Sequence, residues 1–186
     1  MSQTDKKMTR EPIDTAAEFA DRPGEQALDQ DPAEQTPDAG VVFIGRIRSP
    51  WTARKDCPKT MTAARAAGQR AVLEVDPAFR PGLDGLQHTS HIVVLTWLNR
   101  APRNLIVQKP RHASEAKGVF ALRSPVRPNP VGMHVARLLD LDIAQGRLTL
   151  DAIDVLDGTP VIDLKPYLPG IDAFPEARHG EQARSA

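Results

Sequence analysis

The 186 residues suffice for one folded unit with a hydrophobic core and fall short of two ordinary domains plus a tail. Lys plus Arg and Asp plus Glu each number 24, yet residues 1–40 hold ten acids and four bases, leaving fourteen acids and twenty bases for 41–186. The single cysteine, Cys57, excludes an internal disulfide and a cysteine-built zinc cluster, and the lack of any long apolar window or apolar leader core leads to the expectation of a soluble, cytoplasmic protein without a membrane partner.

Residues 1–40 show no hydrophobic periodicity, several prolines and an acidic excess, which predicts a disordered acidic extension with a transient helix over Thr15–Ala20. Order is expected from Val41, where a β-rich run to Ser49 is stopped by Pro50. Thr62–Ala67 reads as about two helical turns and Pro77–Leu86 as about one. Further strands are predicted over Ala71–Asp76, His91–Leu98, Leu105–Gln108, Gly132–Ile143, Arg147–Leu156 and Thr159–Tyr167. Ala144-Gln145-Gly146 makes a hairpin turn with Gly146 in the left-handed conformation. Leu148, Leu150 and Ala152 alternate with polar neighbours before the phase slips to Ile153 and Val155, which predicts a bulge or a switch to burial on both sides. Seven short strands with little helix give an all-β chain whose residues 41–175 close into a small single-sheet barrel, with 176–186 as a flexible tail. The G-x-G-x-x-G turn of a doubly wound nucleotide fold is absent, so any nucleotide-like cofactor is bound in a non-Rossmann manner.

Three segments carry candidate chemistry. In the last strand Asp163, Lys165 and Tyr167 point to one face, at roughly 7 Å steps, while Ile162, Leu164, Pro166 and Leu168 point to the other, which belongs in the core. A carboxylate, an ammonium and a phenol in line suit proton abstraction and charge stabilisation; they equally suit an edge strand that shows polar groups to water. In Arg123-Ser124-Pro125-Val126-Arg127-Pro128-Asn129-Pro130, each proline holds its predecessor extended, so Ser124, Arg127 and Asn129 sit on a stiff loop fit for ligand binding or for plain connection. Between Arg100 and Arg127 there are seven bases and one acid, the footprint of a phosphate-bearing partner unless acids from elsewhere balance it. His88 and His91 lack further ligands at metal spacing, so no metal is expected, Trp97 reads as core, and Cys57 has no histidine nearby to activate it.

Phe43-Ile44-Gly45-Arg46-Ile47-Arg48-Ser49-Pro50, Gly82-Leu83-Asp84-Gly85-Leu86 with Ser90-His91-Ile92, Gly118 to Pro125, Arg127-Pro128-Asn129-Pro130 and Asp157-Gly158-Thr159-Pro160 through Tyr167 occur in this order. Together they resemble the TsaA-like family of TrmO-type tRNA methyltransferases, over about Val42 to Asp172. The resemblance implies a β-barrel that binds S-adenosyl-L-methionine and works as a homodimer, each site completed by the partner chain. It implies as substrate the tRNA adenosine beside the anticodon, position 37, that bears a threonylcarbamoyl group, methylated on its exocyclic nitrogen. By position Pro58, Lys59, Thr60, Asn99, Arg100, Arg123, Leu139, Asp157, Gly158, Thr159 and Pro160 would hold the cofactor. Asp163, Lys165 and Tyr167 would face the reacting centre, with Asp163 as base or orienting group, and Arg111, Arg127 and Asn129 would meet the substrate. The family pattern has Pro-Arg-Gln where this chain has Pro58-Lys59-Thr60, and differs again at Leu122 and Val126 and near Asn99. A methyltransferase of a small molecule and a non-catalytic RNA-binding barrel therefore stand as alternatives.

Overall fold

The computed structural model describes residues 22–110 and 113–179. In chain order its strands are β1 (Gln26–Ala27), β2 (Gly45–Arg48), β3 (Ala71–Val75), β4 (His91–Trp97), β5 (Leu105–Gln108), β6 (Lys117–Gly118), β7 (Val131–Asp142), β8 (Arg147–Leu150) and β9 (Pro160–Pro166). The helices are α1 (Met61–Ala66) and α2 (Pro169–Asp172), with short 3₁₀ turns at Pro77–Leu83, Leu86–His88 and Val119–Ala121. The described residues divide into two compact units, 41–97 with 132–179, and 22–40 with 98–110 and 113–131.

The first unit is a closed antiparallel barrel in the order β2-β3-β8-β7-β4-β9. Alternation drives it: Ile47, Leu73, Ile92, Val94, Leu148, Leu150 and Val161 point inward and are wholly buried. The outward positions of one wall carry charges of alternating sign, because Arg46, Glu74, Arg147 and Asp142 lie opposite one another on β2, β3, β8 and β7. Glu74 holds Arg48 at 2.8 Å and Arg147 at 3.2 Å. Gly146, with φ of 67°, turns the chain between β7 and β8 as expected, and a Cβ there would meet the Val75 carbonyl at 2.6 Å. After Leu150 the strand stops. Ala152 and Ile153 are both buried, which is the change to two-sided burial that the phase slip predicted.

Thr60 caps α1, its hydroxyl oxygen accepting from the Ala63 amide at 3.1 Å. Arg65, near the helix end, donates to Asp151 at 3.0 Å and to the Val135 carbonyl at 2.6 Å. Buried Ala64 completes the seat of the helix on the barrel, so Pro58-Lys59-Thr60 is fixed from its C-terminal side.

The second unit contains a three-stranded sheet, β1-β5-β6. Two sequence expectations change here. Leu105–Gln108 forms a strand with the expected bounds, but in this sheet rather than in the barrel. Part of the N-terminal segment expected to lack structure pairs with it. Gln26 and Ala27 lie opposite Val107 and Leu105, the Leu28 amide donates to the Asn104 carbonyl at 2.6 Å, and Glu25 accepts from the Lys109 amide at 2.9 Å. Backbone pairing with an otherwise open strand edge supplies what the segment's composition lacks. Residues 1–21 of the expected extension, 180–186 of the expected tail, and the candidate Arg111 lie outside the described residues.

Candidate functional site

β9 carries the proposed reacting residues, and a bulge decides where they point. Leu95 pairs with Asp163, but the next residue, Thr96, pairs with Val161, so Ile162 is an extra residue in the ladder. Val161 therefore faces the core, while Asp163, two residues on, shares the outer face with Leu95, and Lys165 with Val93. Leu164 and Pro166 lie opposite the buried Val94 and Ile92 on the inner face, as the alternation predicts. Their depth differs from expectation: Leu164 and Ile162 are half-buried and Pro166 and Leu168 exposed, because this end of the strand runs out toward the rim.

Asp163 and Lys165 form an ion pair, Oδ2 to Nζ 2.8 Å, with side chains 43% and 62% exposed. The other Asp163 oxygen accepts from the Leu164 amide at 2.9 Å, so the carboxylate is fixed at both oxygens. Tyr167 turns to a different neighbour. Its ring meets His91 edge-on, with centroids 6.5 Å apart, and its amide donates to the His91 carbonyl at 2.9 Å. The structure thus joins two of the three in a direct contact and sets the third beside a histidine on the same face.

Of the residues assigned to the cofactor, Asp157 to Pro160 are the most firmly held. Asp157 accepts from the Ser49 amide at 3.1 Å and has Arg48 at 3.9 Å, while its own amide donates to the Trp51 carbonyl at 2.8 Å. Gly158, with φ of 77°, is exposed, and its amide donates to the Ile47 carbonyl at 2.8 Å. The Thr159 hydroxyl donates to the Leu156 carbonyl at 2.7 Å, and Thr159 and Pro160 are buried. Lys59 and Thr60 are exposed ahead of α1. Leu139 is the extra residue of a second bulge, between Leu138 and Asp140, and is 39% exposed.

In the other unit Asn99, Arg100 and Arg123 are exposed. Arg127 is largely engaged inside its own loop, while Asn129 is exposed. Arg127 donates to the carbonyls of Ser124 at 2.8 Å, Val119 at 3.0 Å and Leu122. Arg103 donates to the Pro128 carbonyl at 2.6 Å and to Asn129 Oδ1 at 3.3 Å. Stiffness in the Pro125–Pro130 loop comes from guanidinium bridging as well as from proline.

One constellation was not legible as a motif. His134, on the inner face of β7, joins Asp154 through Nδ1 at 2.6 Å and Thr96 through Nε2 at 3.0 Å, and all three are largely buried. The residues lie 20 and 38 positions apart, beyond any local spacing rule. The signal available was a histidine at an inward position between Gly132 and Ala136. Cys57 lies close enough for Asp154 to act on it: burial, reinforced by that carboxylate, pushes its thiol up to about 11. The thiolate is suppressed, in keeping with a non-nucleophilic cysteine. Among the described residues no group of three His, Cys, Asp or Glu could hold a metal, and no helix is long and apolar enough to cross a membrane.

The family model of the tRNA-methyltransferase O N-terminal domain matches residues 46–173. The chain belongs to this family. Within it, a protein of Archaeoglobus fulgidus named probable S-adenosyl-L-methionine-binding protein is 42% identical over 138 residues, 74% of this chain and 36% of its own length. A second Archaeoglobus fulgidus relative, named S-adenosyl-L-methionine-binding protein, is 36% identical over 129 residues, 69% of this chain and 89% of its own. The crystal structure of TrmO from Pseudomonas aeruginosa superposes with a TM-score of 0.64 at 38% identity, covering 80% of this chain and 63% of that one. The TrmO_N match begins after β1, so the strand added by the N-terminal segment lies outside the family domain. The chain spans roughly a third of the first relative and under two thirds of the TrmO crystal chain.

Proposed function

We propose that this chain is an S-adenosyl-L-methionine-dependent methyltransferase whose acceptor is the exocyclic nitrogen of threonylcarbamoyl-adenosine at tRNA position 37, acting as a cytoplasmic homodimer. Membership of the TrmO_N family, with Asp157-Gly158-Thr159-Pro160 held as a rigid turn, is the observation that carries the reading. The residues present fit the cofactor chemically. Asp157 offers a carboxylate to hydroxyl donors, the Gly158 position opens onto free space, and Leu139 presents apolar surface for a base. Pro58, Lys59, Thr60, Asn99, Arg100 and Arg123 complete the assigned set.

When bound, the cofactor supplies a methyl group on a sulfonium, so transfer needs alignment more than covalent help from the protein. The acceptor nitrogen must lose its proton as its bond to the methyl carbon forms. Asp163 is the group assigned to take it, and Lys165 at 2.8 Å together with the Leu164 amide orients the carboxylate. Tyr167, steadied by His91, borders the same face. Arg111, Arg127 and Asn129 are the residues assigned to the substrate.

The internal engagement of Arg127 favours a second reading, methylation of a small molecule, since a loop built to meet RNA would aim that group outward. Mass spectrometry of tRNA nucleosides from a strain lacking the protein separates the two. Loss of the methylated threonylcarbamoyl-adenosine supports the tRNA reading, and an unchanged nucleoside profile transfers the case to a small acceptor.

A further inference from the structure

Residues 151–159 connect β8 to β9 and include Asp157, Gly158 and Thr159 of the Asp157–Pro160 turn. From one side they are held by residues 47–51. Trp51 Nε1 donates to the Ile153 carbonyl and the Ser49 hydroxyl to the Val155 carbonyl, both at 2.8 Å, and the Asp157 and Gly158 amides donate back to Trp51 and Ile47. From another side the segment is reached by the buried side chain of His134, on β7, through Asp154.

We infer that His134 is a positioning residue for the proposed methyl-transfer site, fixing Asp154 and through it the Asp157–Pro160 turn; this rests on the reading of that turn as part of the cofactor site. The carboxylate can only accept, so Nδ1–H donates to Asp154 and leaves Nε2 as acceptor for the Thr96 hydroxyl in the neutral ring. Both ring nitrogens are thereby committed, and the ring cannot rotate without breaking two bonds inside a wall where Thr96 is wholly buried and His134 is 6% exposed. The backbone is shaped to admit the ring: a Cβ on Gly132 would collide with Thr96 Oγ1 and lie 2.6 Å from His134 Nε2. Filling the core needs no imidazole at this position, because Ala136 and Leu148 meet the same demand with apolar groups. What the imidazole adds is a directed bond to a loop carboxylate. That carboxylate also acts electrostatically on Cys57, the residue before Pro58-Lys59-Thr60. Released from His134, Asp154 would turn toward water and draw Val155 and Leu156, which lead to Asp157, with it.

Two full-length variants separate positioning from packing. His134→Asn keeps an N–H donor where Nδ1 stands, and His134→Gln keeps a polar group where Nε2 stands but none at Nδ1. Amide hydrogen exchange is followed at Asp157 and Gly158, with Leu73 and Leu148 in the barrel as references, alongside calorimetric titration with S-adenosyl-L-methionine. We expect His134→Gln to speed exchange at Asp157 and Gly158 about tenfold and to weaken cofactor binding by a similar factor, with the references unchanged. His134→Asn should stay within about twofold of wild type in both. Equal behaviour of the two variants, or exchange rising evenly through the barrel, overturns the assignment. Should a His134 variant not fold, Asp154→Asn, which still accepts from Nδ1–H, and Asp154→Ala, which does not, give the same comparison from the loop side. A wild-type protein that binds no cofactor while the variants still separate by exchange sinks the methyltransferase reading and leaves His134's hold on the turn intact.

Discussion

Asp163 and Lys165 sit on the outer face of β9 with much of each side chain in water, and an ion pair in that setting contributes only about 0–1 kcal/mol. Removing the carboxylate should therefore leave the fold alone while removing the proposed base. Asp163→Ala is expected to lose methyl transfer by about a hundredfold or more with its melting temperature nearly unchanged; full turnover in a labelled-methyl assay would take the role away from this residue. Arg127 presents the opposite balance, since it bridges three carbonyls of its own loop. Lysine cannot reproduce that fork, so Arg127→Lys should cost about 1–3 kcal/mol in denaturant unfolding, and a variant as stable as wild type would show the bridging to be incidental. Cys57 offers a check on burial. With its thiol pushed up to about 11 by burial and by Asp154, the reactive thiolate is scarce at neutral pH. Alkylation at pH 8 should run roughly a hundredfold slower than for an exposed cysteine and should still be rising beyond pH 10.

At the level of elements, sequence periodicity located most of what forms, since β3, β4, β5, β7, β9 and α1 fall within a residue or two of the expected bounds. Those strands bury one face, and a period of two is enough to reveal it. The misses have common physical roots. β1 and β6 are two residues long and exist by pairing with β5, so nothing in their own composition marks them. The bulge at Ile162 reverses the sense of Val161 relative to Asp163, and only the ladder against β4 shows it. The local conformation of the candidate segments was readable where proline and glycine constrain the chain, at Asp157-Gly158 and Arg127-Pro128. The site was unreadable where partners meet across the barrel, as with Thr96, His134 and Asp154. The barrel itself makes a simple prediction: Leu148, wholly buried opposite Leu73, should cost about 2–5 kcal/mol when cut to alanine. A loss under 1 kcal/mol in urea unfolding would mean that this wall of the core is not packed as described.

Over the whole molecule the charges segregate by sequence, with an acidic excess of six in residues 1–40 and a basic excess of six in the remainder. Seven of the bases fall between Arg100 and Arg127, where Arg103 and Arg127 hold backbone carbonyls. If tRNA is the acceptor, its affinity should fall steeply between about 50 and 200 mM salt as counterions are retained, whereas a small acceptor would bind with little salt dependence. All seven of these bases lie within residues 46–173, the span that matches the TrmO_N family. The decisive assay incubates the purified full-length protein with S-adenosyl-L-methionine and tRNA that carries unmethylated threonylcarbamoyl-adenosine, then digests the tRNA and weighs its nucleosides. The account predicts conversion of that one nucleoside to its methylated form; recovery of it unchanged, from protein that binds the cofactor, would contradict it.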